Sequence, residues 1–193
     1  MANANTSQRI LDIAERLVQT RGFNGFSYAD IAASLGVTKA SLHYHFPAKA
    51  ALGKRLIERY EANFVTALET IDRTGKNSRE KLRRYIGIYA DALRAKRMCL
   101  CGMLAAEYVT LPKPMRAEVK RFFDENERWL TLILEQGLRS KELQFEGPAF
   151  EVARALVGSL EGAMMLARSY SDASRFQVVA DRLIGELSRP KRT

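Results

Sequence analysis

Tyr28-Ala-Asp-Ile-Ala-Ala-Ser-Leu-Gly-Val-Thr-Lys-Ala-Ser-Leu-His-Tyr-His45 is the stretch whose reading decides the fold. Ile31, Leu35, Val37 and Leu42 are apolar where two short helices would pack on each other, and Ala32 is small where they would cross. Just before it, Ser27 and Asp30 form the S-x-x-D pattern of a helix start. Thr38 can cap a second helix that runs to Phe46, where Pro47 breaks the chain. Gly36 sits between the two, where the chain must turn and glycine enters the left-handed conformation without steric penalty. Two short helices joined in this way make a helix-turn-helix.

Outward from this motif the chain reads as helix after helix, with no period-two strand. Upstream, Ile10, Ile13, Ala14, Leu17 and Val18 fall at helical spacing, so a helix is expected from about Ser7 to Arg21, closed by Gly22. Downstream, Lys49 to about Ile71 reads as one long helix. Ser78 can cap another, to about Lys96, and a short apolar helix is expected over Cys101–Val109. Met115–Gly137 is long and periodic, Pro148 starts a helix that reaches about Tyr170, and Asp172 or Ser174 caps a last one that ends near Ser188, before the basic tail Arg189–Arg192. The expected fold is therefore all-α, with about nine helices. A helix-turn-helix head over 1–52 precedes a larger helical body over 53–193, with no flexible linker between them.

The second helix of the motif has the chemistry of a groove reader. With Leu42 and Phe46 turned inward, Lys39, Ala40, His43 and Tyr44 are expected on the outward face, and Ser41 to reach the groove from the flank. Lys39 can donate to guanine, Ala40 can touch a thymine methyl, and Ser41 can donate or accept. Tyr44, His45 and Lys49 can hold phosphates, as can Ser27 and Tyr28 at the start of the first helix. The net charge of +9 favours an anionic partner without choosing among nucleic acid, membrane surface and acidic ligand.

The segment from Gly22 to Leu52 resembles the head of the tetracycline-repressor (TetR) family. The marks are Gly22-Phe, Ile31-Ala32, Leu35-Gly36-Val37 and Leu42-His-Tyr-His-Phe46, followed by Lys49 and Leu52. The resemblance implies a homodimer on a palindromic operator of double-stranded DNA, usually a repressor released by a small-molecule inducer. It points to Lys39, Ala40, Ser41 and His43 as base readers and to Tyr44, His45 and Lys49 as backbone contacts. Ala48 and Ala50 depart from the family pattern and leave the start of the fourth helix less well capped.

In such proteins the last two helices pair across a two-fold axis. Val152, Ala155, Leu156, Ser159, Leu160, Ala163 and Leu166 can form one face and Val178, Val179, Leu183, Ile184 and Leu187 the other, although the same faces would also complete a monomer core. An effector pocket in the body would draw on Phe64, Tyr85, Tyr89, Met103, Tyr108, Trp129, Met164 and Met165, residue types that are equally at home in an ordinary core. Cys99-Leu-Cys-Gly-Met-Leu-Ala-Ala-Glu107 resembles a subgroup of the family in which a cysteine at the start of this helix senses electrophiles or oxidants. Arg94, Lys96 and Arg97 just before it, with a helix N-terminus just after, would favour the thiolates of Cys99 and Cys101. The plainer reading is two buried small hydrophobes.

Other classes fit less well. The sequence has no G-x-S-x-G, P-loop, G-x-G-x-x-G or H-E-x-x-H motif, and no catalytic residue, metal site or cofactor is expected. His43 and His45, the only histidines, lie about 200° apart around a helix and cannot share a metal locally. No stretch approaches the roughly 20 apolar residues of a membrane span, and the N-terminus has no apolar signal core, so a cytoplasmic location is expected. A basic structural or membrane-surface protein stays open as the alternative.

Overall fold

The computed structural model describes residues 2–187, so the basic tail Arg189–Arg192 lies outside the described residues. The order is α1 (Ala2–Arg21), α2 (Tyr28–Leu35), α3 (Lys39–His45), α4 (Lys49–Thr74), α5 (Ser78–Arg94), α6 (Leu100–Ala106), a 3₁₀ turn (Tyr108–Thr110), α7 (Lys113–Arg139), α8 (Ala149–Ser169) and α9 (Ser174–Glu186). Among the described residues there are nine α-helices and no strand, so the all-α reading holds. Helix ends differ from the sequence reading by local capping. Asn77, not Ser78, caps α5, its side-chain oxygen accepting from the Glu80 N–H at 2.9 Å. The expected Cys101–Val109 helix is shorter, because the chain tightens into the 3₁₀ turn after Ala106.

Two compact units form. The first takes in the chain up to Asn63 together with Cys99–Phe122; the second takes in Phe64–Met98 and the chain from Phe123 on. In the first, α1 packs on α2 and α6, and α2 packs on α3. Ile10, Ala14, Val18, Ile31, Leu42 and Ile57 are fully buried there, which is the apolar periodicity of the sequence turned inward. Arg59 of α4 ties α1 in place, reaching Asp12 and Glu15 at 2.6 Å each. In the second unit α8, α9 and α5 pack on one another around Leu82, Leu156, Leu160, Met164 and Phe176.

Candidate nucleic-acid interface and candidate effector site

The head is held by its own capping chemistry. The Ser27 N–H and Oγ–H both donate to Asp30 Oδ2 at 2.7 Å, and Ser27 Oγ accepts from the Ala29 N–H at 3.2 Å. These bonds hold the Asp30 carboxyl below the usual range. Gly36 takes φ 68° and ψ 34°, and an added Cβ there would meet nothing within 4 Å, so backbone conformation alone is the demand for glycine. Thr38 then caps α3 by accepting from the Ser41 N–H at 3.3 Å. The outcome is a short helix with Leu42 and Phe46 buried and Lys39, Ala40, His43 and Tyr44 exposed, Tyr44 at 74%. Ser41 and His45 are half-buried. The His43 Nδ1–H donates to the Pro47 carbonyl at 3.2 Å, which leaves Nε2 as the outward atom.

Three of the residues expected at phosphates bond within the protein itself. Tyr28 is 8% exposed and its hydroxyl donates to the Phe46 carbonyl at 2.8 Å, with burial pushing its pKa up to about 12. It clamps the exit of α3 rather than reaching outward. The Lys49 ammonium donates to the carbonyls of Phe23 and Phe26 and sits over both rings, 4.6 and 4.2 Å from their centroids. Those loop carbonyls have no helical ladder to join, and the lysine satisfies them with two of its three N–H donors. Ser27 is exposed, but its hydroxyl hydrogen goes to Asp30, and that carboxylate at the start of α2 opposes a phosphate.

A contact the sequence reading missed joins the same loop to α6. Glu107, just after α6, accepts from the Phe23 N–H at 2.6 Å and the Asn24 N–H at 3.3 Å, and the Asn24 side chain donates to Thr110 Oγ1 at 2.8 Å. The partners are more than eighty residues apart in sequence, and no local pattern signals them. At the other end of α6, Cys99 caps the helix, its sulfur accepting from the Gly102 N–H at 3.4 Å. Cys99 and Cys101 are 3% and 0% exposed, and the Tyr60 hydroxyl lies 3.9 Å from the Cys99 sulfur, with burial raising the Tyr60 pKa.

Of the eight expected effector-site residues, four come together in the second unit. Tyr85 meets Phe64 edge-on at 6.3 Å, stacks on Trp129 at 5.5 Å, and shares a 3.0 Å hydroxyl contact with Tyr89. Met164 is buried in the same unit, whereas Met165 is 39% exposed because it falls on the outward face of α8. Met103 and Tyr108 belong to the first unit, and Tyr108 is 42% exposed under the Arg116 guanidinium. The sequence reading also passed over Asn126, a polar residue at a core position of α7, 1% exposed, whose Nδ2 donates to the Tyr89 hydroxyl at 3.3 Å. The expected pairing faces divide similarly. Leu156, Leu160, Ala163 and Leu187 are buried within the protomer. Val152, Val179 and Leu183 stay half-exposed, and Val152 and Leu183 line an open groove of about 390 Å³ with Ala155 and Leu156.

Residues 10–56 match the model of bacterial regulatory proteins of the tetR family, and residues 78–183 match that of the tetracyclin repressor-like C-terminal domain. The chain belongs to the TetR family. It is 26% identical over 171 residues to the HTH-type transcriptional repressor NemR of Escherichia coli, covering 85% of this chain and 84% of that one. It is 29% identical over 170 residues to the nucleoid occlusion factor SlmA of Photobacterium profundum, covering 83% and 82%. A crystal structure of a TetR-family transcriptional regulator from Agrobacterium tumefaciens superposes with a TM-score of 0.94 at 30% identity over 97% of this chain and all of that one. This TetR-family chain is thus a DNA-binding transcriptional regulator, with α2 and α3 as its helix-turn-helix. No helix among the described residues is long and apolar enough to cross a membrane.

Proposed function

We propose that the protein is a homodimeric repressor, working in the cytoplasm, which places two copies of α3 in successive major grooves of a palindromic operator and is released by an effector. The single observation that carries this is the outward face of α3. Lys39, Ala40 and His43 are exposed, on a helix fixed from behind by buried Leu42, Phe46 and Tyr28. Lys39, Ala40, Ser41 and His43 read bases, with His43 Nε2 as the ring atom turned to the groove. Tyr44 and His45, whose rings meet edge-on at 5.3 Å, hold the backbone. The functional division is a head over 1–52 and an effector and dimerisation body over 53–193.

The partner copy packs on the outward faces of α8 and α9. Val152, Val179 and Leu183 contribute, joined by Gly162, Leu166 and Val178. Leu166 and Val178 are 57% and 68% exposed, and a Cβ at Gly162 would meet nothing in its own protomer. Apolar side chains this open beside a small residue suit close helix pairing. Two heads on one dimer then span the roughly 34–36 Å between successive grooves.

Release follows a change of the head's setting. The effector acts on the body and its effect travels along α4. The Glu107 bonds to the 23–24 loop give α6 a second hold on the head. Modification of Cys99 would replace the thiol hydrogen with a bulkier group on the sulfur that caps α6 and disturb that hold. Since both thiols are buried, the chemistry waits on local opening, and Cys99→Ser/Cys101→Ser should leave operator release by a thiol reagent weaker than in the wild type. Selection of bound sequences from random duplex DNA tests the whole reading: a palindrome with half-sites one helical turn apart is expected. Binding with no sequence preference at any salt concentration would defeat it.

A further inference from the structure

The second unit buries a polar atom that its own side chains leave unpaired. Asn126 projects from α7 into an aromatic cluster made by Phe64, Tyr85, Tyr89 and Trp129. One end of its amide is used, Nδ2 donating to Tyr89. The other, Oδ1, is buried and has no hydrogen-bond partner. A buried amide oxygen without a donor costs about 1–3 kcal/mol, so such an atom calls for an occupant. On the outer side of the cluster Trp129 is half-buried. Its indole lies over the Tyr85 ring and its N–H donates to Asp72 at 2.9 Å. Asn126 and Trp129 are three residues apart on α7 and therefore share a face, as Tyr85 and Tyr89 do on α5.

We infer that the effector is an aromatic molecule carrying a hydrogen-bond donor, of the phenol class. Its ring takes the place of the Trp129 indole on Tyr85, and its donor goes to Asn126 Oδ1. The aromatic walls select a flat ring. The single unfilled acceptor selects a donor over an ether or a hydrocarbon of the same shape, because a masked donor would leave Oδ1 unpaired. This deepens the reading of the chain as an effector-released regulator and rests on it.

The protein reports on this site itself, since Trp129 is its only tryptophan. The full-length protein is titrated with 4-ethylphenol and, separately, with 4-ethylanisole, while indole emission is followed under excitation that spares tyrosine and phenol. The phenol is expected to produce a saturable change, with a dissociation constant about tenfold or more below that of the anisole. In Asn126→Leu that preference should fall to about twofold or less. Equal responses to the two compounds, no saturable response to either, or a phenol preference that survives in Asn126→Leu would each overturn the assignment. A water held on Oδ1 would give the second of these results. If the variant does not fold, the comparison in the wild type decides alone. Operator selection on the same preparation, without any effector, tells a failure of this assignment from a failure of the regulator reading.

Discussion

Tyr28 and Lys49 illustrate how a polar side chain is assigned by what lies next to it. Each has a long apolar stem and one polar tip, so each could lie along the head and reach DNA, or fold back and satisfy a carbonyl. In this protein both fold back, Tyr28 to Phe46 and Lys49 to Phe23 and Phe26. Tyr28→Phe should therefore cost about 1–2 kcal/mol in chemical denaturation through the orphaned Phe46 carbonyl. The salt dependence of DNA binding should not change, because no phosphate contact is lost. The raised pKa of Tyr28 also has a sign. Its protonated form is favoured by folding, so its contribution is complete below the ordinary tyrosine value of about 10 and is lost as pH rises towards 12. Stability of the wild type should fall across that window more than stability of Tyr28→Phe. Gly36→Ala tests the turn in the same way: with open space around the position, the loss should be about 1 kcal/mol, set by the positive φ alone.

At the scale of elements, α3 and α6 are both seven-residue helices whose stability comes from their ends and neighbours, since helices this short do not persist alone. α3 is capped by Thr38 and backed by Leu42, which frees its outer side chains for recognition. Lys39→Ala should relax sequence preference at one operator position by about 1–3 kcal/mol, read as a loss of discrimination in competition binding, with little effect on the fold. α6 is capped by a sulfur and followed by the Glu107 carboxylate that binds the head's loop. Glu107→Ala strips the acceptor from two backbone N–H groups and should lower stability by about 1–3 kcal/mol. It should also shrink the difference in operator affinity between effector-free and effector-bound protein, measured by titrating labelled operator in each state.

On the scale of the whole molecule, α8 separates two roles that apolar periodicity alone does not. Its inner face, with Leu156, Leu160 and Ala163, belongs to the protomer; its outer face carries Gly162 and Leu166. Leu160→Ala should destabilise the fold by about 2–5 kcal/mol as a core cavity. Leu166→Glu should leave the helical content intact and shift sedimentation towards the monomer, with operator affinity falling in step because one head finds one half-site. If Leu166→Glu stayed dimeric while Leu160→Ala became monomeric, the inner face would be the pairing surface after all.

The amino-acid sequence by itself determined the all-helical layout of the described residues and the helix-turn-helix, because their causes lie within a few residues of one another: 3.6-residue periodicity, the Ser27 and Thr38 caps, and the left-handed glycine at 36. Only the tertiary structure decided which way an amphipathic surface faces and where a polar tip ends. Tyr28 and Lys49 turned inward, Leu156, Leu160 and Ala163 of α8 were buried while Leu166 stayed exposed, and Glu107 met a loop more than eighty residues away. Those outcomes depend on long-range packing, in which a carbonyl or an apolar face is satisfied by whichever group arrives beside it, and sequence spacing holds no record of that neighbour.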